Sequence, residues 1–182
     1  MKSIRNMNLA ELAAYICTHL MNNGIKCILT GGACISIYSE NKYESFDLDF
    51  IDNSFTPKKK IAGILEEINF TESNRYFSNP ETEYIVEFPS GPLSIGSQAV
   101  KEIKEIELST GTLFIISPTD SFKDRLAAYF HWEDNQALEQ AILLIKSQKI
   151  NLKEAEKWAI LEGQQIKFKR IKKMFTTKNN NL

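Results

Sequence analysis

The chain has 182 residues, 43% of them hydrophobic and 25% charged, and its formal net charge at pH 7 is −1. This length and apolar content suffice for one compact domain with its own core and a modest helical appendage. The near-zero net charge excludes a general electrostatic attraction to nucleic acid. No stretch approaches the roughly 18 apolar residues that a membrane span requires, so we expect a soluble protein without membrane partners.

The three cysteines favour a reducing environment. Cys17, Cys27 and Cys34 are an odd number, lack C-x-x-C spacing and fall within apolar stretches. This pattern predicts buried thiols rather than a disulfide framework or a zinc site. The N-terminus also lacks the apolar core of a signal peptide. Together these features predict a cytoplasmic location.

The first part of the chain predicts a helix, a strand and a second, short helix. Apolar residues recur at helical spacing over residues 9–21, and the Asn-Asn-Gly sequence that follows is typical of a helix end. Residues 25–29 predict a strand, which Gly31 and Gly32 interrupt. Residues 33–38 then predict a short helix whose N-terminal amides face the glycine turn, an arrangement that can hold a phosphate.

Residues 46–51 alternate apolar and acidic side chains with a period of two, which predicts a strand. The apolar side chains expected in the core are Phe46, Leu48 and Phe50. Asp47 and Asp49 then lie together on the opposite face of the strand.

Downstream, the patterns predict a mixed sheet followed by helices. Residues 83–88 predict a strand with Glu83, Ile85 and Glu87 on one face, and the Ser-Pro-Thr-Asp sequence at 117–120 supplies a helix cap. The other predicted elements are a helix at 56–68, a hairpin at 103–108 and 113–116, and helices at 118–130, 134–148, 152–162 and in a basic segment up to residue 175. We therefore predict the α+β class, with a core at 1–117, a helical region at 118–175 and a flexible tail at 176–182.

The paired aspartates indicate a divalent cation. Two carboxylates on one strand face repel each other unless a cation offsets their charge, and hard oxygen ligands suit Mg²⁺ or Mn²⁺ rather than zinc. Glu87, on a strand that can lie beside the acidic strand, is the candidate third ligand or general base. Two metal ions held in this way activate an attacking hydroxyl and neutralise charge that develops on a triphosphate. The pattern favours transfer of a nucleoside monophosphate from an NTP, with pyrophosphate as the leaving group.

Each motif alone is more often structural. Alternating aspartates on a half-exposed strand usually face solvent, and glycine at a strand end usually serves only the turn. The order of a strand, a Gly-Gly turn, a helix, a Ser-x-Asp-x-Asp strand and a later strand with Glu87 is more specific than its parts.

At these residues the sequence resembles the nucleotidyltransferase superfamily. That superfamily combines a Gly-Gly or Gly-Ser turn, an Asp-x-Asp strand and a third carboxylate on a later strand. Within it, the likeness is closest to AbiEii-like abortive-infection toxins and their uncharacterised small bacterial relatives, and it covers residues 9–144. Residues 117–134 are similar to the helical segment in which that family places a basic residue, here Arg125, a small apolar pair and a downstream aspartate.

The resemblance implies a nucleotidyltransferase-like mixed β-sheet flanked by helices and followed by a C-terminal helical bundle. It also implies roles for single residues. The set implied to bind the nucleotide is Gly31, Gly32, Ser45, Lys123 and Arg125, and the set implied to bind metal and act in catalysis is Asp47, Asp49 and Glu87. The implied cofactor is Mg²⁺ or Mn²⁺, with an NTP as substrate.

Two functional hypotheses follow. The leading one is an enzyme that moves a nucleoside monophosphate from an NTP to a hydroxyl of a tRNA, a protein or a small molecule. The likeness to toxins implies a role in toxin–antitoxin systems or phage defence, with a cognate antitoxin as partner. The alternative is a nucleotide-binding or protein-interaction module of the same fold with weak or no catalysis. This alternative rests on two departures from the family's pattern. Glu44 lies where the family often has arginine or lysine nearby, and Glu87 replaces the aspartate that the family commonly has.

The basic run near the C-terminus also has two interpretations. Its cationic residues are Lys167, Lys169, Arg170, Lys172 and Lys173, and they are interleaved with Phe168, Ile171 and Phe175. Such a run can bind the phosphates of an RNA acceptor. More often it is the solvent-facing side of an amphipathic helix.

Overall fold

The computed structural model of the protein describes residues 2–52 and 54–176 and contains a mixed β-sheet with helices packed against it. After a short 3₁₀ turn at Ile4–Asn6, the helices are α1 (Leu9–Asn22), α2 (Gly31–Tyr38), α3 (Lys58–Glu66), α4 (Pro118–Trp132), α5 (Asn135–Ser147), α6 (Leu152–Leu161) and α7 (Gln165–Thr176). The strands are β1 (Cys27–Thr30), β2 (Asp47–Asp52), β3 (Thr71–Ser73), β4 (Tyr76–Ser78), β5 (Ile85–Glu87), β6 (Ser94–Ile95), β7 (Gln98–Ala99), β8 (Ile103–Leu108) and β9 (Gly111–Ile116). The predicted α+β class is confirmed.

The main sheet has seven strands in the order β3-β4-β5-β2-β1-β9-β8. At its centre β1 pairs antiparallel with β2, whereas β1 with β9 and β2 with β5 are parallel pairs. Strands β6 and β7 form a separate hairpin. The acidic strand β2 therefore has a neighbour on each side, and β5 is one of them.

One continuous apolar core joins the sheet to helices from both ends of the chain. It contains Leu12 of α1, Phe50 of β2 and Phe168 of α7, all of them buried. The N-terminus of α1 is closed by a capping box of Asn8 and Glu11, a type of cap that stabilises a helix by about 1 kcal/mol. The division of the chain at residue 117 stays a prediction. The predicted tail lies outside the described residues, except that Thr176 ends α7.

The predicted helices agree with the structure to within a few residues at their ends. Residues 9–21 were expected in the first helix and α1 is Leu9–Asn22, while the helix expected at 118–130 is α4, Pro118–Trp132. The hairpin of β8 and β9 is also confirmed. At the glycine pair the structure differs, because Gly31 is already the first residue of α2.

The prediction that Phe46 enters the core is wrong. Strand β2 begins only at Asp47, and Phe46 at the rim of the sheet is 46% exposed, with its ring stacked on Tyr84 at a centroid distance of 6.1 Å. Leu48 and Phe50 are buried as predicted. The two apolar side chains that alternate within β2 therefore enter the core, whereas Phe46, one residue before the strand, does not.

At the edge of the sheet beyond β2, one strand is shorter than predicted and two strands are not predicted by the sequence. Strand β5 covers only Ile85–Glu87, so Glu83 lies outside it and does not share its face. The hairpin of β3 and β4 was not predicted at all, because strands of three residues are too short to show a clear period. This hairpin extends the sheet past Glu87.

All three cysteines are free thiols with buried side chains, as predicted. Cys17 of α1 and Cys27 of β1 face each other, with their sulfur atoms 3.5 Å apart. Within the described ranges, no helix has both the length and the apolar character needed to cross a membrane.

Candidate active site

Gly31 and Gly32 join β1 directly to the N-terminus of α2. Gly31 has a φ of +70°, which favours glycine, and a Cβ built on it would collide with the carboxylate of Asp49. A Cβ on Gly32 would lie 3.3 Å from Oγ of Ser45. The two glycines therefore let the acidic strand pack against a helix start, where unpaired backbone amides favour an anion.

Ser45 sets the point at which the acidic strand begins. Its backbone N–H donates to Oγ of Ser36 at 2.9 Å. Its own hydroxyl donates to the carbonyl oxygen of Asp47 at 3.2 Å, and the backbone N–H of Asp47 donates to that hydroxyl at 3.3 Å. Ser45 is buried and its hydroxyl lies beside Gly32, next to the start of α2.

Asp47, Asp49 and Glu87 lie on one face of the sheet. Asp49 is in register with Glu87 on β5 and with Thr30 on β1. Asp47 precedes Asp49 by two residues on β2 and so shares its face. Because neighbouring strands are about 4.8 Å apart, Asp49 and Glu87 are adjacent. The predicted pairing of the Glu87 strand with the acidic strand is thus confirmed, while the roles of the three residues stay predictions.

The environment of Asp49 disfavours its charged form. Burial and then the neighbouring Glu87 raise the pKa of Asp49 from 3.8 to about 6. The positive charge of Arg125 opposes this rise, whereas Asp47 and Asp124 add to it. A cation bound here would offset both the burial and the repulsion between carboxylates.

Arg125 brings a cation from α4 to the same place. Its Nε donates to Asp124 at 3.0 Å and its Nη1 donates to Oε1 of Gln140 at 3.3 Å. Gln140 on α5 is buried, and the Arg125 side chain is 18% exposed. These contacts fix the guanidinium at the wall of a cleft, close enough to Asp49 to oppose part of the rise in its pKa.

Lys123, also predicted to bind the nucleotide, is not brought to this cleft. It is 1% exposed, and its Nζ lies 2.5 Å from Asp120 and 3.1 Å from Glu154. Residues two apart on a helix point about 200° apart, so Lys123 and Arg125 face different sides of α4. Asp120 also accepts from the backbone N–H groups of Lys101 and Glu102 at 3.4 and 3.3 Å. Lys123 therefore stabilises the junction of α4, α6 and the segment before β8.

A cavity of about 230 Å³ opens beside Asp49 and Arg125. Its polar wall includes Thr30, Gly31, Asp49, Asp124 and Arg125, and its apolar wall includes Pro89, Pro92, Leu93, Ile95 and Val100. The indole N–H of Trp158 on α6 donates to the carbonyl oxygen of Ile95 at 3.1 Å. Glu162 accepts from the backbone N–H and the hydroxyl of Ser97 at 2.9 and 2.6 Å. Trp158 of α6 and Glu162 at its end thus anchor the β6–β7 hairpin, which supplies Ile95 to the apolar wall.

The three carboxylates fit a hard divalent cation in their chemistry and backbone placement, since all offer oxygen donors from one sheet face. Their side chains do not converge, however. Nowhere in residues 2–52 and 54–176 do three His, Cys, Asp or Glu side chains come close enough together to hold a metal ion. Glu87 instead approaches Arg75, whose Nε lies 3.7 Å from its Oε2. The carboxylate of Glu87 is therefore engaged with a cation of the chain itself.

Sequence reasoning missed three residues of the site: Asp124, Gln140 and Arg75. Gln140 gave a usable signal, because it occupies the buried face of α5 together with Ala137 and Ala141, where a polar residue needs a partner. Asp124 is adjacent in sequence to Arg125, which indicates a charged pair. Arg75 gave no signal, since its position depends on the unpredicted β3–β4 hairpin.

No protein-family profile matches this sequence, and no curated protein matches it significantly. Among solved structures, the chain is similar to the solution structure of the antibiotic-resistance factor ANT(2'')-Ia. The TM-score is 0.52 and the sequence identity is 11%, over 96% of this chain and 97% of that chain. At this identity the likeness shows the fold alone. The predicted fold, a mixed sheet with helices followed by C-terminal helices, is confirmed and matches that of ANT(2'')-Ia.

Proposed function

We propose that this protein is a metal-dependent nucleotidyltransferase, which moves a nucleoside monophosphate from an NTP to an acceptor hydroxyl. One observation carries the proposal: Gly31, Asp49 and Arg125, from three separate parts of the chain, line the same cavity. Asp47 and Glu87 share the sheet face of Asp49 beside it. The nucleotidyltransferase fold supports the same assignment.

The phosphates are assigned to the polar wall. Backbone amides at the start of α2, where Gly31 lines the cavity, attract the negative charge of the triphosphate. The hydroxyl of Ser45 lies beside Gly32, and it becomes a donor to the phosphates only by exchanging its hydrogen bond to the carbonyl oxygen of Asp47. Arg125, held by Asp124 and Gln140, neutralises the triphosphate with a guanidinium that is already positioned. This preorganisation reduces the entropy lost when the nucleotide binds.

Asp47, Asp49 and Glu87 are the residues that would hold Mg²⁺ or Mn²⁺, which when bound polarises the phosphate oxygens and offsets charge on the leaving group. In the transfer, the acceptor oxygen forms a bond to the α-phosphorus, and the bond from that phosphorus to the bridging oxygen breaks. Pyrophosphate leaves with the electron pair of that bond. If Glu87, at the edge of the carboxylate row, does not bind the cation, it is the candidate base that takes the proton of the acceptor hydroxyl.

The proposed acceptor and partner rest on the resemblance to AbiEii-like toxins. It suggests a tRNA, a protein or a small molecule as acceptor, and a cognate antitoxin as partner in a toxin–antitoxin or phage-defence system. A second candidate function is a nucleotide-binding or protein-interaction module with weak or no catalysis. The contact between Glu87 and Arg75 favours this alternative, because it engages the proposed base in an ion pair.

The test uses the purified protein with α-labelled NTPs, Mg²⁺ and total tRNA, with label followed into RNA and into protein. We expect transfer by the wild type and none by Asp47→Ala or Asp49→Ala. The control is Glu105→Ala, which removes an exposed carboxylate from β8 at the far edge of the sheet. It should transfer label like the wild type.

The outcomes separate the candidates. Thermal stabilisation by NTP without any label transfer would support the binding module instead. Equal transfer by the wild type and both aspartate variants would refute the assignment of the aspartates. The absence of both stabilisation and transfer would refute the transferase and the nucleotide-binding module, and it would leave the protein-interaction module.

A further inference from the structure

Arg75 stands at the end of the carboxylate row. It precedes β4 in the turn of the β3–β4 hairpin, where Asn74 has a φ of +58°. Tyr76, the next residue, is in register with Glu87 on the adjoining strand. The row across the sheet therefore runs from Thr30 through Asp49 and Glu87 to the hairpin that contains Arg75.

The guanidinium of Arg75 has two contacts. Its Nε lies 3.7 Å from Oε2 of Glu87, and its central carbon lies 5.0 Å from the ring centroid of Tyr76. The ring supports the cation from one side through a cation–π contact. Arg75 is thereby directed to Glu87 from the side opposite to Asp49.

The Arg75–Glu87 pair is easily exchanged. The side chain of Arg75 is 72% exposed, and that of Glu87 is 20% exposed. Ion pairs this open to water contribute little to stability, since water and salt screen them. A divalent cation beside Asp49 offers Glu87 a stronger partner than a hydrated guanidinium.

We infer that Arg75 is a positioning residue that competes with the divalent cation for the carboxylate of Glu87. While Glu87 is paired with Arg75, the cation site has only Asp47 and Asp49. When Arg75 is drawn away, for example by an anionic group of a substrate, Glu87 completes the site. The inference rests on the proposed assignment of Asp47, Asp49 and Glu87 as cation ligands.

The experiment measures Mn²⁺ binding to the nucleotide-free protein by electron paramagnetic resonance, without any assay of transfer. Arg75→Gln releases Glu87, so the variant should bind Mn²⁺ about threefold more tightly than the wild type. Arg75→Lys keeps the positive charge beside Glu87 and should restore an affinity near that of the wild type. Binding by Arg75→Gln but not by the wild type would support the inference in its strongest form.

A matched control is available at Arg5. Its Nη2 lies 3.7 Å from Oε1 of Glu81, and its side chain is 74% exposed, so the pair resembles that of Arg75 but involves no residue of the carboxylate row. Arg5→Gln should leave Mn²⁺ affinity unchanged. An equal gain in Arg5→Gln would mean that net charge alone sets the affinity, and it would overturn the inference.

A double variant isolates the contact itself. In a Glu87→Gln background, Arg75→Gln should no longer tighten Mn²⁺ binding, because the carboxylate for which the two cations compete is gone. A gain that persists in that background, an unchanged or weaker affinity in Arg75→Gln alone, or the absence of Mn²⁺ binding in both proteins would overturn the inference. Failure of the proposed function is a separate result: it is a wild type that binds Mn²⁺ as described but transfers no label.

Discussion

The carboxylate of Asp49 lies directly against the α-carbon of Gly31, which leaves no room for a side chain at position 31. This contact brings the acidic strand β2 to the first residue of α2. It also contributes to the burial that raises the pKa of Asp49 to about 6. The absence of a Cβ at position 31 therefore lets strand β2, the start of α2 and the titratable carboxylate of Asp49 pack together.

Replacement of this glycine should damage both the fold and the site. Gly31→Ala places a side chain at a φ of +70°, which costs roughly 1–2 kcal/mol, and it also displaces the Asp49 carboxylate. We expect lower stability in urea unfolding and loss of label transfer. Gly24→Ala is the matched control, because Gly24 has a φ of +79° but no atom within 4 Å of a built Cβ.

Gly24→Ala should lose similar stability through backbone strain and retain transfer. If the two variants were equally active, the contact between position 31 and Asp49 would have no functional role.

Asp49 should make the metal-free protein less stable as the pH rises from about 4 to about 6. Burial and Glu87 raise its pKa to about 6 in the folded state, against 3.8 as the ordinary value. Across this window the unfolded chain has released the proton that the folded chain still holds, so unfolding becomes easier. Asp49→Asn should be more stable than the wild type above pH 6, by up to about 3 kcal/mol, and should lose this advantage near pH 4.

The measurement is urea unfolding of both proteins in a chelator at pH 4, 5, 6 and 7. Asp52→Asn should behave in the opposite way. Although burial acts to raise the pKa of Asp52, hydrogen bonds from Ser54 and Thr56 outweigh it and lower the pKa. The stability that Asp52 contributes is therefore present at neutral pH and lost in acid. A stability difference of the same sign for both variants would contradict the assigned environments.

Two neighbouring cations on α4 should have separable roles. Lys123→Met leaves the buried carboxylate of Asp120 without its partner, a type of change that costs about 3–5 kcal/mol. Arg125→Met should cost less stability, because Asp124 is partly exposed, but it should abolish thermal stabilisation by NTP. Urea unfolding and thermal shift with NTP measure the two effects. Retention of NTP stabilisation by Arg125→Met would remove Arg125 from the nucleotide site.

Phe46 and Phe50 should contribute different amounts to the stability of the fold, because only Phe50 is buried. Phe50→Ala empties a fully buried position and should cost about 3–5 kcal/mol. Phe46→Ala removes a rim side chain that stacks on Tyr84, and it should cost about 1 kcal/mol or less. Urea unfolding compares them directly. Equal losses would mean that Phe46 is buried after all.

Features that depend on near neighbours along the chain were predictable. Alternation of apolar and acidic residues placed Asp47 and Asp49 on one face, and the Ser117 cap marked the start of α4. The same periodicity rules failed at Phe46, because a period does not say where strand pairing begins.

The assembly of the site was settled only by long-range pairing. The register that sets Glu87 beside Asp49 depends on two strands far apart in the sequence. Arg75 reaches Glu87 only through a hairpin too short to be recognised locally. Local patterns predict elements because helix caps and strand alternation act over a few residues. The pairing of each carboxylate with a cation depends instead on how the whole chain packs its core. The residues that determine this packing lie in all segments of the chain.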